Sequence, residues 1–115
     1  MKKVLCVSVL AASTLLLAGC GKSVPKCGDE DTINLVKQIS NDEMINQMGK
    51  DFAAQISYAV ESIRTTDEND KTGAFECAAD LKVIAKNGNT NKLPITYTVE
   101  ATDDGKQFYV NVFGL

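Results

Sequence analysis

The sequence contains no histidine, no Cys-x-x-Cys pair and no apolar run long enough to cross a bilayer. Each absence removes a class of function. Without histidine, the commonest general base and the commonest transition-metal ligand are missing, which argues against most hydrolytic and zinc chemistry. Without Cys-x-x-Cys spacing there is no support for a redox pair. A spanning helix takes about 20 apolar residues, and the most apolar stretch, residues 4–17, is shorter and closes on small residues. Basic clusters are scarce as well, with 12 Lys and Arg set against 15 Asp and Glu. No catalytic or phosphate-binding constellation is recognisable. The expectation is therefore no catalysis, no cofactor, no metal site and no nucleic-acid partner.

What is present begins at the leader. Lys2 and Lys3 supply a positive start, residues 4–17 are apolar apart from Ser8, Ser13 and Thr14, and the small residues Ala18 and Gly19 follow. That order of regions is a secretory signal. Leu17-Ala18-Gly19-Cys20 resembles the lipobox of bacterial lipoproteins. The resemblance covers the leader alone. It implies cleavage before Cys20, diacylation of the Cys20 sulfur and a lipid-anchored protein of the cell envelope. A single acyl chain binds a membrane only marginally, at about 0.8 kcal/mol per buried methylene, whereas two or three chains anchor stably. Gly21 stands where the enterobacterial inner-membrane retention signal has Asp, so for a Gram-negative host the resemblance implies the outer membrane, with the domain in the periplasm. The alternative is a plain secretory signal in which Cys20 is an ordinary thiol.

Cleavage before Cys20 takes 19 of the 115 residues and leaves 96, enough for one small domain. Loss of Lys2 and Lys3 moves the formal charge from −3 to −5. An acidic domain of this kind does not suit nucleic acid or an anionic lipid surface. With Cys6 in the leader and Cys20 on the lipid, Cys27 and Cys77 remain, and in an oxidising compartment they are expected to pair. Residues 20–28, polar and broken by Pro25, read as a lipidated tether, and residues 29–115 as a small domain.

Asp29, Glu30 and Asp31 suit a helix N-terminus, and Ile33, Val36 and Ile39 with Leu35 predict a short helix over residues 30–39. Ser40-Asn41-Asp42-Glu43 has the form of a capping box and predicts the start of a second helix. Its apolar stripe would run through Met44, Ile45, Met48, Phe52, Ile56, Ala59, Val60 and Ile63, with a bend or break near Gly49. The stripe reads as core; a surface for a partner helix or for lipid is the alternative. Residues 65–71 read as a solvated acidic loop without the spacing or closing glutamate of an EF-hand. From Gly73 the period changes to two. Phe75, Cys77, Ala79, Leu81, Val83 and Ala85 mark one strand, Leu93, Ile95, Tyr97 and Val99 a second, and Phe108, Val110 and Val112 a third. Asn87-Gly88 and Asp104-Gly105 supply the turns. The predicted fold is α+β, with one or two N-terminal helices packed on a three-stranded antiparallel meander. That order of elements is similar to small cystatin-like and NTF2-like domains, a likeness that carries no functional residue across.

Tyr109 and Phe113 fall on the face opposite Phe108, Val110 and Val112, beside Thr96 and Thr98. An exposed aromatic pair on a sheet is a candidate partner-binding patch. Packing of Phe113 against a loop or the tether is the alternative, and a free sheet edge offers a second route to a partner. The expected function is a non-catalytic binding module of the accessory, inhibitor, immunity or exclusion type. A structural envelope protein without a specific partner is the alternative, and a small enzyme using carboxylates such as Glu76 and Asp80 is a further one.

Overall fold

The computed structural model describes residues 24–115. The leader, Cys20, Gly21 and the first part of the tether lie outside the described residues. Six elements follow one another: α1 (Glu30–Met48), α2 (Lys50–Ala53), β1 (Ile56–Glu68), β2 (Phe75–Ala85), β3 (Thr90–Ala101) and β4 (Phe108–Phe113). The strands form one antiparallel sheet in the order β1-β2-β3-β4, and α1 packs on one of its faces.

The helical half differs from the expectation in two ways. The short helix predicted over residues 30–39 and the helix predicted to start at Ser40 are joined in one helix, α1, which runs unbroken through Ser40 to the break predicted near Gly49. Ser40 does not cap. It is buried, and its hydroxyl donates to the Val36 carbonyl at 2.8 Å, the back-bond available to a serine inside a helix. Helix α1 ends at Gly49, whose N–H donates to Ile45 O at 2.9 Å and whose φ of 91° disfavours any residue with a Cβ.

Beyond the single turn of α2, the predicted helical stripe through Ile63 is instead β1, a fourth strand in place of the expected three. Ile56, Tyr58 and Val60 alternate toward the core and lie opposite Ala85, Val83 and Leu81 of β2. The register then shifts between Glu61 and Arg64, with Ser62 at φ 54°, and this bulge turns Ile63 onto the core side. Residues 65–68, expected in a loop, complete the strand. The turn proper is held by Asn69, whose side-chain oxygen accepts from the N–H groups of Lys71 and Thr72.

The core lies between α1 and the inner face of the sheet. Cys77, Ala79 and Leu81 of β2, Ile95, Tyr97 and Val99 of β3, and Val110 of β4 are buried there beneath Val36, with Leu35 and Ile39 beside it. Pro94 sits within β3 opposite Asp80, outside the pairing with β4, which stops at Thr96 and Phe113. Its missing N–H therefore falls on a side where no strand needs it. Cys27 and Cys77 are joined, 50 residues apart in sequence and with their Cα atoms 5.8 Å apart. Tyr97, opposite Cys77, donates its buried hydroxyl to Cys27 O at 2.8 Å. Part of the expected tether thus belongs to the packed domain: Cys27 is buried, and Val24 packs against the core.

One buried group lacks a partner. Thr32, on the sheet side of α1, is 0% exposed, and its hydroxyl has no hydrogen bond among the described residues. Thr32→Val keeps the shape and removes the unsatisfied group, so the unfolding free energy is expected to rise by about 1–2 kcal/mol. A urea titration reads this as a higher midpoint at unchanged slope. A lower midpoint would show that a buried water serves the hydroxyl.

Candidate functional site

Because α1 covers only one face, the outer face of the sheet is open. Successive residues of each strand alternate between faces, so the pairing register gives the map of this surface. One row across the sheet runs Phe113, Thr96, Ala78, Arg64, and the next runs Asn111, Thr98, Glu76, Asp67. Tyr109 lies beside Glu100 at the acidic end. The two rings, four residues apart on β4 with Asn111 between them, stand on this face with 57% and 56% of their surface exposed. Both aromatics singled out in the sequence therefore lie on one face of an edge strand and are uncovered, about 13 Å apart along it.

The far half of the same face is polar. Glu61 lies 3.4 Å from the Lys92 ammonium and 4.0 Å from that of Lys82, exposed pairs that contribute little to stability but keep this half charged. The turn beside Tyr109 is firmly built. Thr102 Oγ1 donates to Asp104 Oδ1 at 2.6 Å and the Lys106 N–H donates to the same oxygen at 2.9 Å, and these bonds hold the Asp104 carboxyl below its ordinary value. The aromatic patch is thus bounded by carboxylates on one side and by threonines on the other.

Concave surface lies elsewhere. A hollow of about 610 Å³ between the β1–β2 and β3–β4 turns is lined by Asn69, Lys71, Thr72, Glu100 and Asp103 among others. A second hollow, of about 460 Å³, opens where α1 and α2 leave the sheet and is lined by Met44, Phe52, Ile56, Val83, Asn89 and Asn91 among others. Beneath the second half of α1 a smaller cavity of about 110 Å³ meets Ser40, Met44, Tyr58, Leu93 and Leu115. Helical spacing hides the second hollow, because it carries the helix through Ile56, where the chain instead begins β1. Among the described residues no group of three or more His, Cys, Asp or Glu is placed to hold a metal ion. No helix of the described residues is long and apolar enough to cross a membrane.

Of the residues singled out in the sequence, Cys27 and Cys77 meet in the core, Tyr109 and Phe113 share the outer face on either side of Asn111, and Cys20 lies outside the described residues. The signal for Tyr97 was available and missed. Alternation places Tyr97 among the inward apolar residues, yet a buried tyrosine needs a hydrogen-bond partner, and that partner is Cys27 O. Compared with known protein families, with curated proteins and with solved structures, the chain shows no match.

Proposed function

We propose that the chain is a lipid-anchored protein of the bacterial cell envelope that binds a protein partner and catalyses nothing. Its anchor is the acylated sulfur of Cys20, with Gly21 favouring the outer membrane and the domain held in the periplasm. The supporting residues are Lys2, Lys3, the apolar run and Leu17-Ala18-Gly19-Cys20. In cells fed a tagged fatty acid, the chain is expected to carry the label and Cys20→Ala to lose it. Labelling of the Cys20→Ala chain would refute the anchor.

The observation that carries the binding reading is the exposure of Tyr109 and Phe113 on the uncovered sheet face. Aromatic side chains bury about 150–250 Å² each when they are covered, and such residues are enriched among those that dominate binding energy. The acidic surroundings, Glu100, Glu76 and Asp67, favour a partner with a basic rim. The test is recovery of the full chain crosslinked in intact cells, beside the Tyr109→Ala, Phe113→Ala double variant. Both rings are exposed, so the variant is expected to stay within about 0.5 kcal/mol of native stability per site. It is also expected to lose a partner that the native chain retains. A variant that keeps the same partner would show that the rings are incidental.

A further inference from the structure

The two edges of the sheet are built differently. β1 carries Glu61, Arg64, Asp67 and Glu68 and two register shifts, which are devices that keep an edge from pairing. β4, Phe108-Tyr109-Val110-Asn111-Val112-Phe113, has no charge, no proline and no register shift. Its backbone directions follow from the hairpin. The Thr102 N–H donates to Gln107 O at 2.9 Å, and hydrogen-bonded pairs alternate along an antiparallel ladder. Tyr109, Asn111 and Phe113 therefore bond to β3, while Val110 and Val112 turn their N–H and C=O groups away from the sheet. Among the described residues nothing bonds to those outward groups. The chain end leaves the edge clear, because at Gly114, with φ 102°, a Cβ would lie 2.9 Å from Pro94 O, which places the chain against β3.

We propose that β4 pairs antiparallel with β4 of a second copy about a two-fold axis at Asn111, joining two four-stranded sheets into one. Directly opposed residues share a face, and only outward-bonding residues can exchange hydrogen bonds across the new seam. With Asn111 on the axis both conditions hold. Val110 meets the second copy's Val112, and the two exchange their free N–H and C=O groups. On the outer face Tyr109 meets the second copy's Phe113, and Phe113 its Tyr109, so both exposed rings gain an aromatic neighbour. An axis at Val110 or at Val112 also matches the bonding pattern, but sets Asn111 opposite one of the rings and leaves the other without an aromatic neighbour. Repulsion does not oppose the pairing. The strand itself is uncharged, and the two Glu100 side chains stand three strand spacings apart across the sheet and four residues apart along it, about 20 Å, beyond the screening length of about 8 Å at physiological salt. The pairing deepens the binding reading, because it sets the rings of two copies as two aromatic pairs on one continuous face, either side of the Asn111 pair, and it is tested separately from that reading.

The experiment uses the full chain in the cell envelope, with single cysteines at Val110, Asn111 and Val112 and at Ser57 on the opposite edge. On the axis the Asn111 Cα atoms form a non-hydrogen-bonded pair about 4.5 Å apart, within the reach of a disulfide. Asn111→Cys is expected to give at least tenfold more disulfide-linked dimer than the other three positions, with Cys27–Cys77 intact by mass. Asn111→Asp sets two carboxylates face to face on an exposed site and is expected to shift the purified full chain in mild detergent from dimer to monomer in sedimentation. Strongest linkage at Val110 or Val112, equal linkage at all four positions, or an Asn111→Asp chain that remains dimeric would overturn the proposal. Loss of linkage at Asn111 with retention of a ring-dependent partner refutes the pairing alone. Linkage at Asn111 without any ring-dependent partner supports the pairing and counts against the binding reading.

Discussion

Replacing Cys27 and Cys77 together by alanine is expected to lower the unfolding free energy by about 4 kcal/mol, the chain-entropy value for a closed loop of this length. The bond spans 50 residues and encloses α1, α2 and β1, so its removal frees more than half of the packed chain in the unfolded state. A domain of this size has about 5–14 kcal/mol in all. The double variant should accordingly sit close to its unfolding transition at 37 °C, and reductant should do the same to the native chain. Urea titration of the two proteins, with and without reductant, measures the effect. A difference below about 1 kcal/mol would show that burial of Cys27 and the Tyr97 hydrogen bond hold the segment without the covalent link.

Truncation of Tyr97 is expected to cost about 3–5 kcal/mol, as for other large aromatics removed from a core. Tyr97 is 1% exposed and lies between Cys77 and Val112 on neighbouring strands, so its removal opens a cavity at the centre of the sheet. Tyr97→Phe isolates the hydroxyl and is expected to cost about 1–2 kcal/mol, because Cys27 O loses its donor. The same hydroxyl gives a pH signature. Burial pushes the Tyr97 and Tyr58 hydroxyls above the usual value of 10.0. The unfolded chain releases these protons near pH 10 while the folded chain keeps them, so stability is fully present below about pH 10 and falls as pH rises beyond it. Urea midpoints measured from pH 9 to 11 should fall for the native chain and fall less for the Tyr58→Phe, Tyr97→Phe variant. Equal slopes would show that neither hydroxyl is desolvated enough to matter.

The sheet was legible where period two ran without interference, from Phe75 to Phe113, and there the three expected strands and both hairpin turns are present. The error lay in residues 50–68. Ile56, Ala59, Val60 and Ile63 fit helical spacing, and Ile56, Tyr58 and Val60 fit strand spacing equally well. The bulge at Ser62 shifts Ile63 by one position and so disguises the strand. Gly49 was the better guide, since a glycine just past a helical run is a usual stop signal. Ser40 misled because a capping box and a buried back-bonded serine look alike in sequence, and only the continuous burial of Thr32, Val36 and Ser40 separates them. Of the candidate site, the exposure of Tyr109 and Phe113 followed from alternation alone. The contrast between a guarded β1 edge and a bare β4 edge required the pairing order, which no local pattern contains.

The position of the Cys27–Cys77 bond also sets the mechanics of the anchored form proposed above. Six residues lie between Cys20 and Cys27, seven backbone steps that reach at most about 25 Å when fully extended, so the domain would ride close to the bilayer. Any pull along that leash meets the Val24 contact and then Cys27, just ahead of α1, and passes through the sulfur bridge directly into β2, an inner strand of the sheet. Helix α1, α2 and β1 lie off the load path. Tension from the membrane would therefore strain a strand hydrogen-bonded on both sides, and leave the helix unpeeled.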